Sequence, residues 1–237
     1  MEIGKLLFTC LWCVFSLWDG QTRFTVIKLD SPIVIESFDP QTKEGIKLIL
    51  PNDLQVQTWP VKSLSKAGSE TWAADEIAST LGIVYTSLDT KLNIVDRFVW
   101  WKNGRNKNWI EIDLEKTVLV SEITDPDGQE LYKLSPFWAE KANLWFVSTI
   151  IANEKISVEI INTTGINGAG TQSSRKIESA GMKVGLIKNG ERTSTQCSVL
   201  SAQSTKTTYS VKLLLKEFGC TWSEKPSLGD HDVILEL

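Results

Sequence analysis

The amino-acid sequence predicts an α/β fold, and three observations carry that prediction. Short runs alternate apolar and polar residues with the period of a half-buried strand, as in Ile156-Ser157-Val158-Glu159-Ile160 and at Val233, Leu235 and Leu237. Other stretches repeat apolar residues at i, i+3, i+4 and i+7, as in Ala74, Ile77, Ala78 and Leu81, and again in Val211, Leu214, Leu215 and Phe218. Both of those stretches end on a glycine, Gly82 and Gly219, the residue that most easily takes the left-handed turn closing a helix.

At 237 residues, 42% hydrophobic and 23% charged, the chain can bury one substantial or two small cores. A net charge of −4 argues against a dedicated nucleic-acid binder, and no such partner is expected. The reading is of two small α/β domains, residues 24–153 and 154–237, after an apolar segment at 1–19. Leu6 to Trp18 is an uncharged, mostly apolar run with Lys5 before it and Asp19-Gly20 after it. It falls short of the roughly 20 residues of a spanning helix. It fits a signal-peptide core or the exported end of a membrane anchor, with a buried N-terminal helix as the alternative.

Next come two alternating runs around an Asp39-Pro40 turn, then a helix over residues 70–81. From Arg97 to Trp109 four cations, Arg97, Lys102, Arg105 and Lys107, interleave with Phe98, Trp100, Trp101 and Trp109 and with no acid. Such a strip can stack on sugars or bases, pair with phosphates, or lie at a lipid interface. Arg97, Trp100, Trp101, Lys102, Arg105 and Trp109 are therefore candidate binding residues. The preferred reading is a plain hairpin turning at Asn103-Gly104, with Phe98 and Trp100 facing the core. The stretches Ile110–Leu114 and Thr117–Val120, an Asp125-Pro126-Asp127-Gly128 turn and a helix-like stretch near Phe137 to Phe146 follow, with Asn153-Glu154 as a hinge.

The last segment reads strand, helix (169–181), strand (Val184–Ile187), short strand (Val199-Leu200), helix (from about Lys206) and strand, a β-α-β-β-α-β unit. Its first turn holds Asn162, Thr164, Gly165 and Gly168, whose backbone N–H groups at a helix start could bind an anion. A simple tight connection is the stronger reading. The glycines of Gly165-Ile166-Asn167-Gly168-Ala169-Gly170 are spaced three then two, the reverse of the dinucleotide fingerprint, whose acidic residue is also missing.

Cys10 and Cys13 form a C-x-x-C inside the apolar run without a second ligand pair. Cys197 and Cys220 are either bridged or free buried thiols. His231, between Asp230 and Asp232, reads as part of a solvated turn. No Gly-x-Ser-x-Gly, Walker or His-Glu-x-x-His motif is present.

The sequences V-E-I-I-N-T-T-G-I-N-G-A-G, A-G-M-K-V-G-L-I and D-V-I-L-E-L resemble the LytR C-terminal domain, a module attached to LytR-CpsA-Psr proteins of the bacterial envelope. Upstream, Ser31 to Lys43, Leu48 to Leu54 and the Leu81-Gly82-Ile83 turn are similar to the first part of a LytR-CpsA-Psr domain. The catalytic type of that family holds a lipid-linked pyrophosphate with arginines and carboxylate-bound magnesium. It has Pro-Arg-Asp where this chain has Pro51-Asn52-Asp53, and Arg-x-Asp where this chain has Leu29-Asp30-Ser31. Asparagine cannot replace the guanidinium fork. The resemblance therefore implies a noncatalytic, cofactor-free envelope protein of the cell membrane, with a single anchor through residues 6–18 and an extracytoplasmic body. Its implied partner is a cell-wall glycan or an envelope protein, and the Arg97 to Trp109 strip is the candidate contact with an anionic polymer. Two alternatives are a surviving transferase with magnesium on Asp30 and Asp53, and a polyanion-binding regulator in which residues 6–18 are core.

Overall fold

The protein is mixed α/β, as seen in a computed structural model that describes residues 16, 18–104, 108–191, 196–226 and 229–237. The expected anchor, apart from Ser16 and Trp18, lies outside the described residues, together with Cys10, Cys13, Arg105 and Lys107. Among the described residues no helix is long and apolar enough to cross a membrane. Two compact units emerge: residues up to Thr80 with Tyr85–Trp138, and Leu81–Val84 with Ala139–Leu237.

The first unit is built on strands β1 (Phe24–Lys28), β2 (Val34–Phe38) and β3 (Glu44–Ile49). They form an antiparallel meander, with Phe24 opposite Phe38 and Phe38 opposite Gly45. Asp39 shapes the β2–β3 turn: its carboxylate accepts from Gln41 N at 2.8 Å and its carbonyl from Lys43 N at 2.9 Å. After β4 (Gln55–Val56) and β5 (Trp59–Pro60) come helices α1 (Val61–Ala67) and α2 (Glu70–Leu81). The sheet is widened by β6 (Ser87–Leu88), parallel to β1, and β7 (Asn108–Asp113), parallel to β3, giving the order β6-β1-β2-β3-β7.

Between those two added strands runs helix α3 (Ile94–Gly104), which corrects the expected hairpin across Arg97 to Trp109. The physical reason is a pairing that local β propensity hides. Asn93 caps the helix, accepting from Asp96 N at 2.8 Å while its amide donates to the Asp96 carboxylate at 2.7 Å. Val95, Val99 and Trp100 then pack onto an aromatic cluster of Trp18, Phe24 and Phe38. A 3₁₀ turn at Leu114–Lys116 follows β7. The β8 (Val120–Thr124) and β9 (Glu130–Leu134) hairpin follows, turning at Asp125–Gly128.

The second unit takes in α4 (Trp138–Trp145) from Ala139 onward, then α5 (Thr149–Glu154), so the Asn153-Glu154 position lies inside a helix. Its sheet comprises β10 (Ser157–Asn162), β11 (Lys183–Asn189), β12 (Ser198–Ser201), β13 (Thr221–Glu224) and β14 (Val233–Glu236), in the order β11-β10-β14-β12-β13. Helix α6 (Ala169–Ala180) connects the parallel pair β10 and β11, and α7 (Tyr209–Phe218) connects the parallel pair β12 and β13. β13 was not expected, since Thr221-Trp222-Ser223-Glu224 is short and lacks an apolar alternation. Gly181 (φ 110°) and Gly219 (φ 64°) close α6 and α7 in the left-handed region. The core joins Val158 and Ile160 of β10, Val233 and Leu235 of β14, Ile177 of α6, Val211 and Leu214 of α7, and Ile151 of α5. Each fully buried aliphatic side chain of this kind contributes about 1.5–3 kcal/mol of transfer free energy.

Candidate functional site

Helix α3 carries the richest collection of candidate residues, and its two faces differ in chemistry. On the inner face, Trp100 meets Phe24 edge-on at 5.2 Å and Trp109 at 5.9 Å. Trp109 of β7 lies over Gly45 of β3, where a methyl group would come within 2.7 Å of the indole, so only glycine leaves room for the ring. Trp100 and Trp109 thus contribute to packing, as large aromatic surfaces usually do. Trp18 stacks on Phe24 at 4.9 Å and its indole N–H donates to Thr22 O at 2.7 Å. Ser16, just before it, donates to the carboxylate of Asp96 on α3, a residue fully buried at the helix start.

The outer face presents Ile94, Phe98 and Trp101, which are 84%, 45% and 53% exposed. The Phe98 and Trp101 rings lie 6.0 Å apart. Arg97 and Lys102 are exposed beside them. The Arg97 guanidinium is oriented by donation to the carbonyls of Leu92 at 3.2 Å and Asp89 at 3.3 Å. The single acid of α3 is the buried Asp96, so the exposed surface of the helix is apolar and cationic.

The Asn162 turn is occupied by its own backbone. Asn162 Nδ2 donates to Ile166 O at 2.9 Å, and its Oδ1 accepts from the Thr164 hydroxyl at 2.7 Å and from Thr164 N at 3.2 Å. Thr164 Oγ1 in turn accepts from Ile166 N at 3.0 Å. Gly165 and Gly168 take φ of 74° and 83°, the conformations that make the turn tight. Gly170 faces Ile187 so closely that an added methyl would approach it to 2.8 Å. The polar side chains named at sequence level are thus brought together, with their hydrogen bonds directed inward to shape the connection.

Asp30 is exposed in the β1–β2 loop, and Asp53 is ion-paired with Lys62. Among the described residues no group of three or more His, Cys, Asp or Glu side chains is placed to hold a metal ion. Cys197 and Cys220 are joined in a disulfide with Cα atoms 4.6 Å apart, at the entrances to β12 and β13. His231 packs its ring over Gly185 of β11.

Two features escape sequence reasoning because each joins residues distant in the chain. Arg23 is buried against Asp39, 4.0 Å away. Its burial lowers the guanidinium pKa, while the Asp39 and Glu44 carboxylates act in the opposite direction. In the second unit, the Glu154 carboxylate at the end of α5 accepts from Tyr209 N at 2.7 Å, Ser210 N at 2.8 Å and the Ser210 hydroxyl at 2.6 Å, capping α7.

No family model and no curated protein matches this chain. A solved structure of a Listeria monocytogenes fragment, described as a candidate transcriptional factor, is similar over 78% of this chain and 85% of that one. At 10% identity and a TM-score of 0.24, that likeness carries no argument about fold or function.

Proposed function

We propose that this is a noncatalytic, extracytoplasmic envelope protein, anchored by its N-terminal apolar run, whose C-terminal unit is a LytR C-terminal-like binding or accessory module for cell-surface polymer assembly. The observation that carries the reading is the C-terminal segment. The V-E-I-I-N-T-T-G-I-N-G-A-G sequence forms β10, its glycine turn and the start of α6. A-G-M-K-V-G-L-I forms the α6 cap and β11, and D-V-I-L-E-L forms the central strand β14. The departures at Asn52 and Leu29 favour a binding role over transfer, because a pyrophosphate would meet neither guanidinium of the catalytic type. Asp53, one of the two carboxylates that a magnesium ion would need, is paired with Lys62.

The test is calorimetric titration of the full chain in detergent with polyprenyl pyrophosphate and with anionic wall glycan, each with and without magnesium. Glycan binding that is indifferent to magnesium, with no response to pyrophosphate, is the expected result. Magnesium-dependent pyrophosphate binding that vanishes in Asp53→Ala overturns the noncatalytic reading.

A further inference from the structure

The geometry points to α3 as a second membrane contact: a helix lying flat on an anionic bilayer, with Ile94, Phe98 and Trp101 in the acyl boundary and Arg97 and Lys102 on lipid phosphates. The inference rests on the anchored reading above and adds to it the face of the body that meets lipid.

Three observations converge on it. The first is the angular arrangement. At about 100° per residue, Ile94, Phe98 and Trp101 fall within a stripe roughly 60° wide, and Arg97 and Lys102 flank it on opposite sides. This is the pattern of an interfacial helix: an apolar ridge sinks about 5–10 Å into the headgroup boundary while flanking cations reach the phosphates. The second is charge. The one acid of α3, Asp96, is buried at the inner face, so no exposed carboxylate on the helix opposes an anionic surface.

The third observation selects lipid over other occupants. The apolar run Leu6 to Trp18 ends against α3 itself, where Ser16 donates to Asp96 and Trp18 is buried beside Val99. Both contacts are on the core-facing side of α3, so an anchored chain enters the body one helix width, about 10 Å, from the exposed ridge. A residue spans at most about 3.6 Å, so a few residues of tether cover that width and keep α3 near the membrane surface. A wall glycan or a nucleic acid has no comparable constraint bringing it to this face.

The experiment uses the full chain reconstituted into vesicles of phosphatidylcholine alone or with phosphatidylglycerol, some carrying acyl-brominated lipid, with tryptophan fluorescence as the readout. Bromine quenching is expected to be deeper in wild type than in Trp101→Phe, and unchanged between wild type and Trp222→Phe. Arg97→Gln with Lys102→Gln should reduce the Trp101 share of the quenching severalfold in phosphatidylglycerol vesicles and little in phosphatidylcholine. Equal quenching in wild type and Trp101→Phe, in protein that floats with the vesicles, overturns the α3 contact and leaves the anchor standing. Trp101 emission that responds to soluble wall glycan and not to brominated lipid also overturns it, and so does failure to float with vesicles, which sinks the anchored reading as well. Circular dichroism matching wild type certifies that the surface variants are folded.

Discussion

Glu154 shows how much one side chain can organise. Its carboxylate receives two backbone N–H groups and a hydroxyl at the start of α7, where unpaired donors and the helix dipole both favour a negative charge. Glu154→Ala is expected to cost about 2 kcal/mol, from the usual worth of hydrogen bonds to a charged group, read as a lower urea midpoint with unchanged slope. Tyr132 offers a pH probe in the first unit. Partial burial and the Glu115 and Glu122 carboxylates push its phenol up to about 12. The folded state thus favours the neutral phenol. Its contribution to stability is complete below the ordinary tyrosine value of 10.0 and lost as pH rises through about 12. Of the three tyrosines, one should form phenolate last in an alkaline titration, and Tyr132→Phe should remove that late component. Neither residue stands out in the sequence, since Glu154 lies 55 positions from Tyr209 and Tyr132 meets carboxylates 10 and 17 positions away.

Among the elements, α3 is the instructive case. Val95, Phe98, Val99, Trp100 and Trp101 each favour a strand in isolation, and Asn103-Gly104 is good hairpin chemistry. The helix forms because an Asn93 cap starts it and an aromatic core rewards Val95 and Val99 on one side, four residues apart. The legible signal was Asn93 with Asp96 three residues on, which is the spacing of an N-cap pair. Asn93→Ala should lower the thermal midpoint by an amount equivalent to about 1 kcal/mol, since both cap hydrogen bonds are lost. By contrast, α2 and α6 were readable to within a residue. The apolar spacing of α2 ends at Gly82, and Gly181 stops α6 from continuing. The strip's candidates divide by burial: Trp100 on the inner face of α3 and Trp109 on β7 are packing residues, whereas Arg97, Trp101 and Lys102 stay at the surface.

For the whole molecule, the notable fact is that the second unit draws on two parts of the chain. Val84 and Ile151, both upstream of the expected boundary at 154, pack with its core, and Gly82 lies against Arg175 of α6. A fragment of residues 154–237 should therefore be less stable than one restoring residues 139–153. The expected difference is at least about 2 kcal/mol, the cost of removing one buried Ile from a core. Equal denaturation midpoints for the two fragments would show that those residues are dispensable.

The sequence by itself determined the α/β class, the strand-turn-helix order of β10 through β11, the helix ends at Gly82, Gly181 and Gly219, and the apolar character of Leu6 to Trp18. Those features depend on periodicity and on backbone preferences within a few residues. Only the tertiary structure decided that α3 is a helix, that β13 joins β12, that Cys197 meets Cys220 and that Glu154 caps α7. Each of those outcomes depends on a partner many positions away, and no local preference encodes which distant residue will be there when the chain closes on itself.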